Sequence, residues 1–236
     1  MANEINNTTC WIPREIAFQH ETHGSVSILL PEIDEVTLPN ASPKLQENLA
    51  AAKKIIKYVN EKVPFSENFP LRSKELRELS KTDPNLFLER CNELIRDNAA
   101  WEATNTENTA LGYVLRSAQI AEERRLGNCK SLASVGIKYA REQLSVESEL
   151  YGINPGDHAF LLIGKFPDIA VCCPWSSAAY PGAEMAKRLR DYIDTQDADG
   201  TVYTLVRPFD FKTQKISRVP LDDLAYSSRI FKDSIQ

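Results

Sequence analysis

The chain of 236 residues has no apolar run near the roughly 18 residues that a membrane-crossing helix needs, so no membrane span is expected. It has no CxxC pair, which argues against a zinc ribbon. Its five cysteines, Cys10, Cys91, Cys129, Cys172 and Cys173, are odd in number and irregular in spacing, poor material for a disulfide framework. Reduced thiols and a cytoplasmic working environment in the producing cell follow. The opening MANEINNTTCWIPRE lacks a basic start followed by an apolar stretch, so no Sec signal peptide is expected. No repeat or low-complexity segment interrupts the chain. Positive charge is not in excess either. With a net charge of −5 and a pI near 5.4, the protein has no general electrostatic attraction to nucleic acid or anionic lipid.

What remains is an ordinary globular balance of 42% hydrophobic and 26% charged residues, enough to bury a core. Residues 1–43 read as irregular, with one short strand at Ser25–Leu30. Ser42-Pro43 opens a helix, serine as cap and proline at the first helical position, and Pro64 stops it. Leu45, Leu49, Ala52, Ile56, Val59 and Val63 recur at helical spacing within it. Further helical patterns cover about 72–81, 84–97 and 107–125, with Ser66–Pro70 as a connection. Asn128 caps a helix expected to run to Leu144. Strand-like runs follow at Val146–Tyr151, His158–Gly164, Ile169–Trp175 and Val202–Val206. Helices in the first half and strands in the second argue an α+β fold in one domain, 1–236. Residues 1–110 would form a mainly helical lobe or cap. Residues 111–236 would form a helix packed on an antiparallel sheet.

Three segments carry the chemistry. GNCKSLASVGIKYA (Gly127–Ala140) puts Cys129 at the opening of a core helix, where unpaired N–H groups and the macrodipole favour a thiolate. GDHAFLLIG (Gly156–Gly164) puts His158 at the opening of a hydrophobic strand, where an imidazole can take the thiol proton. AVCCPW (Ala170–Trp175) ends the next strand. A hairpin around Lys165–Asp168 gives a plausible register pairing Phe160 with Cys173 and His158 with Trp175, so that Cys173 shares a face with His158. Asp168 then lies at the turn, about 23 Å from Trp175 at about 3.3 Å per residue, too far to orient His158. Asp157 would point to the opposite face. His20 and His23 read as solvated. Cys10, Cys91 and Cys172 read as small buried hydrophobes. Two further uses of Cys129 and Cys173 stay open: with His158 they form a Cys₂His set of catalytic-zinc type, and a disulfide between them would shut the nucleophile off.

A Cys in G-N-C at a helix start, D-H-A-F on a strand and a following strand ending in P-W resembles the papain-like/transglutaminase-like cysteine enzymes. The chain looks most like the YopT-type proteases among bacterial effectors. The resemblance covers about residues 119–180. It implies Cys129 as nucleophile, His158 as base and no cofactor. It implies a protein substrate, a host protein in the effector case, with export from the producing cell into a host cell. Cys173 stands where the family has an Asp, while Pro174 and Trp175 match the rest of that motif. Gln119 is the candidate for the oxyanion-hole glutamine, although it lies farther before Cys129 than the family pattern has it. Asn128 is a supporting candidate, and Trp175 one that closes the back of the site. Loss of the Asp leaves three readings open: a dyad, another orienting group, or an impaired copy that serves as a protein-binding module.

Overall fold

The computed structural model describes residues 8–20, 24–156, 158–196 and 202–221. Eleven strands and six helices are found among them. In chain order these are β1 (Thr9–His20), β2 (Gly24–Thr37), α1 (Pro43–Lys62), β3 (Phe65–Ser66), α2 (Lys74–Thr82), α3 (Pro84–Glu102), α4 (Ala110–Arg124), β4 (Leu126–Gly127) and α5 (Cys129–Tyr139). The second half adds β5 (Ser148–Asn154), β6 (Ala159–Ile163), β7 (Ala170–Cys173), β8 (Ala178–Pro181), α6 (Met185–Arg188), β9 (Arg190–Gln196), β10 (Val202–Pro208) and β11 (Lys215–Arg218). Nine strands form one antiparallel sheet in the order β11-β5-β6-β7-β8-β1-β2-β10-β9, and β3 and β4 make a short parallel pair. The fold is therefore α+β.

The helix starts follow their capping chemistry. Ser42 accepts from Leu45 N with Pro43 at the first position, Asp83 accepts from Leu86 N ahead of Pro84, and Thr109 accepts from Gly112 N. Helix α5 starts at Cys129 as expected, but its regular part ends at Tyr139, and residues 140–144 continue as a π-helical turn.

The N-terminal segment departs from expectation. Instead of an irregular stretch with one short strand, Thr9–His20 and Gly24–Thr37 pair as a long hairpin in the main sheet. Among the described residues of 1–110, two strands of the main sheet thus accompany the helices α1, α2 and α3. The hairpin carries Pro13 and Pro31, and its register shifts between Pro13 and Glu15. That irregularity hides the two-residue alternation by which strands are recognised. Strands β8, β9 and β11 were likewise not expected.

Strands β7 and β8 are buried on both faces. On one face, Ala170 and Cys172 join Leu161 and Ile163 of β6, Ala52, Ile55 and Ile56 of α1, and Leu132 and Val135 of α5 in an aliphatic cluster. On the other, Val171 and Cys173 join Phe160, Tyr180, Trp175, Leu29, Phe69 and Cys129 in a second, more aromatic cluster. Gly136 lets α5 approach closely, since a Cβ there would meet Ile55 Cγ2 at 3.1 Å and Leu161 Cδ1 at 3.3 Å. A third cluster holds α2, α3 and β4 together through Leu76, Phe87, Cys91, Leu94 and Leu126.

Candidate active site

Helix α5 begins in the aromatic cluster and runs into the aliphatic one, so its first residue, Cys129, stands with Phe160, Cys173 and Trp175 while the rest packs under α1. The turn before it is tight. A Cβ at Gly127 would meet Ser131 Cβ at 2.7 Å, so glycine is required there. Asn128 Oδ1 accepts from Ser131 N at 3.1 Å, the N-cap role. Its Nδ2 donates to Glu102 Oε1 at 2.5 Å and to Glu67 Oε1 at 3.3 Å, fixing the amide from the far side. Cys129 is 3% exposed.

The β6–β7 register is the expected one: Leu161 pairs with Cys172, Leu162 with Val171 and Ile163 with Ala170, which continues to Phe160 opposite Cys173. His158 lies just before β6 and is held to β5 by its carbonyl, which accepts from Ile153 N at 2.9 Å. Its Nε2 is 3.3 Å from Cys173 Sγ. The ring lies among aromatics, with centroids 4.5 Å from Tyr192, 5.6 Å from Trp175 and 6.2 Å from Phe160. Complete burial pushes the imidazole down to about 3, so it is neutral at physiological pH.

Cys173 is buried as well, and burial raises its thiol. Ser176 and Trp175 oppose that by hydrogen bonding, and the Arg72 guanidinium opposes it by charge. Ser176 N donates to Cys173 Sγ at 3.5 Å. Ser176 Oγ is buried and makes no hydrogen bond of good geometry. Trp175 follows β7 rather than ending it. Its indole Nε1 donates to Asn68 Oδ1 at 2.8 Å and its ring packs on Phe69, centroids 5.3 Å apart.

The structure thus brings His158, Cys173 and Trp175 into contact and puts Cys129 and its cap Asn128 at the start of the helix in the same cluster. Gln119 is exposed on α4, where its amide donates to Glu123 Oε1 at 2.7 Å and accepts from Arg116 at 3.1 Å. These partners lie on its own helix, and Gln119 is absent from the cluster that holds Cys129, Cys173 and Trp175. Asp168 sits at the hairpin turn, where its Oδ1 accepts from Ser42 Oγ at 2.5 Å, a structural duty. Asp157 and His23 lie outside the described residues, as does the side chain of His20. None of the five cysteines is in a disulfide. Among the described residues no three His, Cys, Asp or Glu side chains are gathered to hold a metal ion. Within the same residues no helix is long and apolar enough to cross a membrane.

Sequence reading missed Ser176, Tyr192, Asn68 and Arg72. Ser176 had a signal, since it directly follows the P-W motif. The other three come from a connection, a turn and a strand distant in sequence, and no local pattern marks them.

A thiol differs from a carboxylate in one respect that matters here. A carboxylate beside Nε2 can only accept, so it holds the proton on Nε2 and leaves Nδ1 as the basic nitrogen. A thiol both donates and accepts, so neither imidazole tautomer is enforced.

Comparison of the chain with protein-family models, with curated proteins and with solved structures found no match in any of the three.

Proposed function

We propose that the protein is a cysteine-dependent acyl-transfer enzyme of papain-like/transglutaminase-like type acting on a polypeptide amide. The observation that carries the reading is the neutral His158 ring, 3.3 Å through Nε2 from Cys173 Sγ, in the same buried surroundings as a cysteine at the capped start of a core helix. In this reading Cys129 gives its proton to His158 and attacks the carbonyl. His158 protonates the leaving amine. Water then clears the thioester, the protease or deamidase outcome, or an amine does, the transglutaminase outcome. Proteolysis is the first choice by resemblance, with a host protein as substrate if the chain is an exported effector. Ammonia release without chain cleavage would point to deamidation or cross-linking instead.

A specific observation favours a second reading, a catalytically impaired relative that binds a protein. His158 is pushed down to about 3 by burial, and no carboxylate among the described residues raises it. An imidazolium is therefore poorly supported, and the third position holds a thiol.

Alkylation with iodoacetamide at graded pH, located by mass spectrometry, separates the two. The enzyme reading expects Cys129 to be labelled well below the pH of about 8.5 at which an ordinary thiol ionises. His158→Ala should remove that enhancement. Labelling of Cys129 no faster than an ordinary exposed thiol would leave the binding module as the reading that stands.

A further inference from the structure

Beside Phe69 and Ser176 lies a cleft of about 350 Å³, within the range that holds small ligands or a protruding side chain. Arg72, Arg77, Asn60, Ser176, Trp11 and Phe69 line it. Neither Arg72 nor Arg77 pairs with a carboxylate among the described residues, and Arg72 differs from the other arginines in having buried guanidinium nitrogens without a partner. Arg72 donates through Nη2 to Asn60 Oδ1. By area the residue is half-buried, but its Nε and Nη1 are sealed from solvent and have no acceptor. Arg77 spends Nη1 on the carbonyls of Leu71 and Arg72, at 2.7 and 2.8 Å. Ser176 adds a buried hydroxyl without a partner. Burial pushes the Arg72 guanidinium down to about 9, and among the described residues the Cys173 thiol acts to raise it again. A buried cation left without a counter-charge is costly, and a planar oxyacid is the group that matches a guanidinium. Glu35 is the acidic residue on the cleft wall, and its Oε1 is engaged by Trp11 Nε1 at 2.7 Å.

The geometry points to this cleft as a binding site for a carboxylate, with Arg77 and the more deeply set Arg72 supplying its counter-charge. The site is read from the arginines and does not depend on Cys129 being a nucleophile. Ser176 also lines the small cavity that holds His158 and Cys173, so a bound acid sits beside the thiol site. The carboxylate comes either from an acidic side chain of a polypeptide or from a small free acid.

Calorimetric titration of the full chain distinguishes these sources. N-acetyl-L-glutamate and an acetylated, amidated Ala-Ala-Glu-Ala-Ala peptide are compared with their glutamine counterparts. Glutamate forms should bind about ten-fold more tightly than glutamine forms, and salt should weaken them. Binding of the peptide alone names a polypeptide partner, and binding of N-acetyl-L-glutamate alone names a small acid. Arg77→Gln, on the rim, should cost about five-fold or more while the far-UV spectrum is unchanged, and Arg72→Gln more if it folds. The site is refuted by glutamate and glutamine forms binding equally, by Arg77→Gln retaining the wild-type affinity, or by no acid binding at about 10 mM.

Discussion

Cys172 and Cys173 are neighbours on β7, and they open on two different interiors. Cys172 faces the aliphatic cluster under α1 and α5, where its Sγ lies 3.5 Å from the carbonyl oxygen of Ala52, and burial holds its thiol well above the ordinary range. Cys173 is almost as buried, at 4% exposure, but it faces His158, Ser176 and the Arg72 charge. The buried members of the first cluster other than Cys172 are aliphatic side chains with no hydrogen-bonding group. The second is aromatic and polar, contains the start of a helix, and lies against two cavities. Equal burial therefore does not mean equal chemistry, because the groups facing a buried thiol decide whether an ionised form has any support.

The sharpest way to break this comparison is to put a carboxylate on each side. Cys172→Asp should cost several kcal/mol, enough to unfold a marginally stable domain, because nothing in the aliphatic cluster pairs with the charge. Cys173→Asp should fold with a similar melting temperature and raise the Cys129 alkylation rate about ten-fold or more, by accepting from His158 Nε2 and fixing its tautomer. Equal loss of folding in both would mean that the second cluster is as closed to charge as the first.

The next effect is in the pH dependence of stability. His158 titrates near 6.5 when unfolded and at about 3 when folded. The unfolded chain thus binds the extra proton between those values. The contribution is fully present above pH 6.5 and is lost as pH falls towards 3, at up to about 1.4 kcal/mol per pH unit. Urea unfolding at pH 7, 5.5 and 4.5 should show this slope in the wild type and its loss in His158→Phe, which suits the aromatic surroundings. An unchanged slope would mean that His158 is not sealed.

The smallest effect concerns the helix start. Asn128→Ala should lower stability by about 1 kcal/mol through loss of the cap to Ser131 N, and should also slow Cys129 alkylation. Gln119→Ala, exposed on α4, should change stability by less than about 0.5 kcal/mol and leave alkylation unaltered. A slower reaction in Gln119→Ala would support it as a residue of the site.

The sequence foretold what local rules govern. Ser42-Pro43 and Asp83-Pro84 mark helix starts because capping and proline preferences act within one turn of chain. The β6–β7 register could be counted from its turn because antiparallel pairing keeps the sum of partner numbers constant. The register therefore puts Cys173 on the same face as His158. The hairpin at 9–37 was not foretold, because its prolines and its register shift break the alternation on which strand recognition depends, and its partner β10 lies far along the chain.

By itself, the sequence determined the capped helix that begins at Cys129, the strand pair that carries His158 and Cys173, and the absence of a carboxylate at position 173. Tertiary structure alone decided that α5 starts in the aromatic cluster and continues into the aliphatic one, that Gln119 is exposed, and that Arg72 and Ser176 line one cleft. The reason is physical. Capping, periodicity and register are interactions between near neighbours in the chain, whereas desolvation and charge at a buried site depend on every element packed around it, wherever that element lies in the sequence.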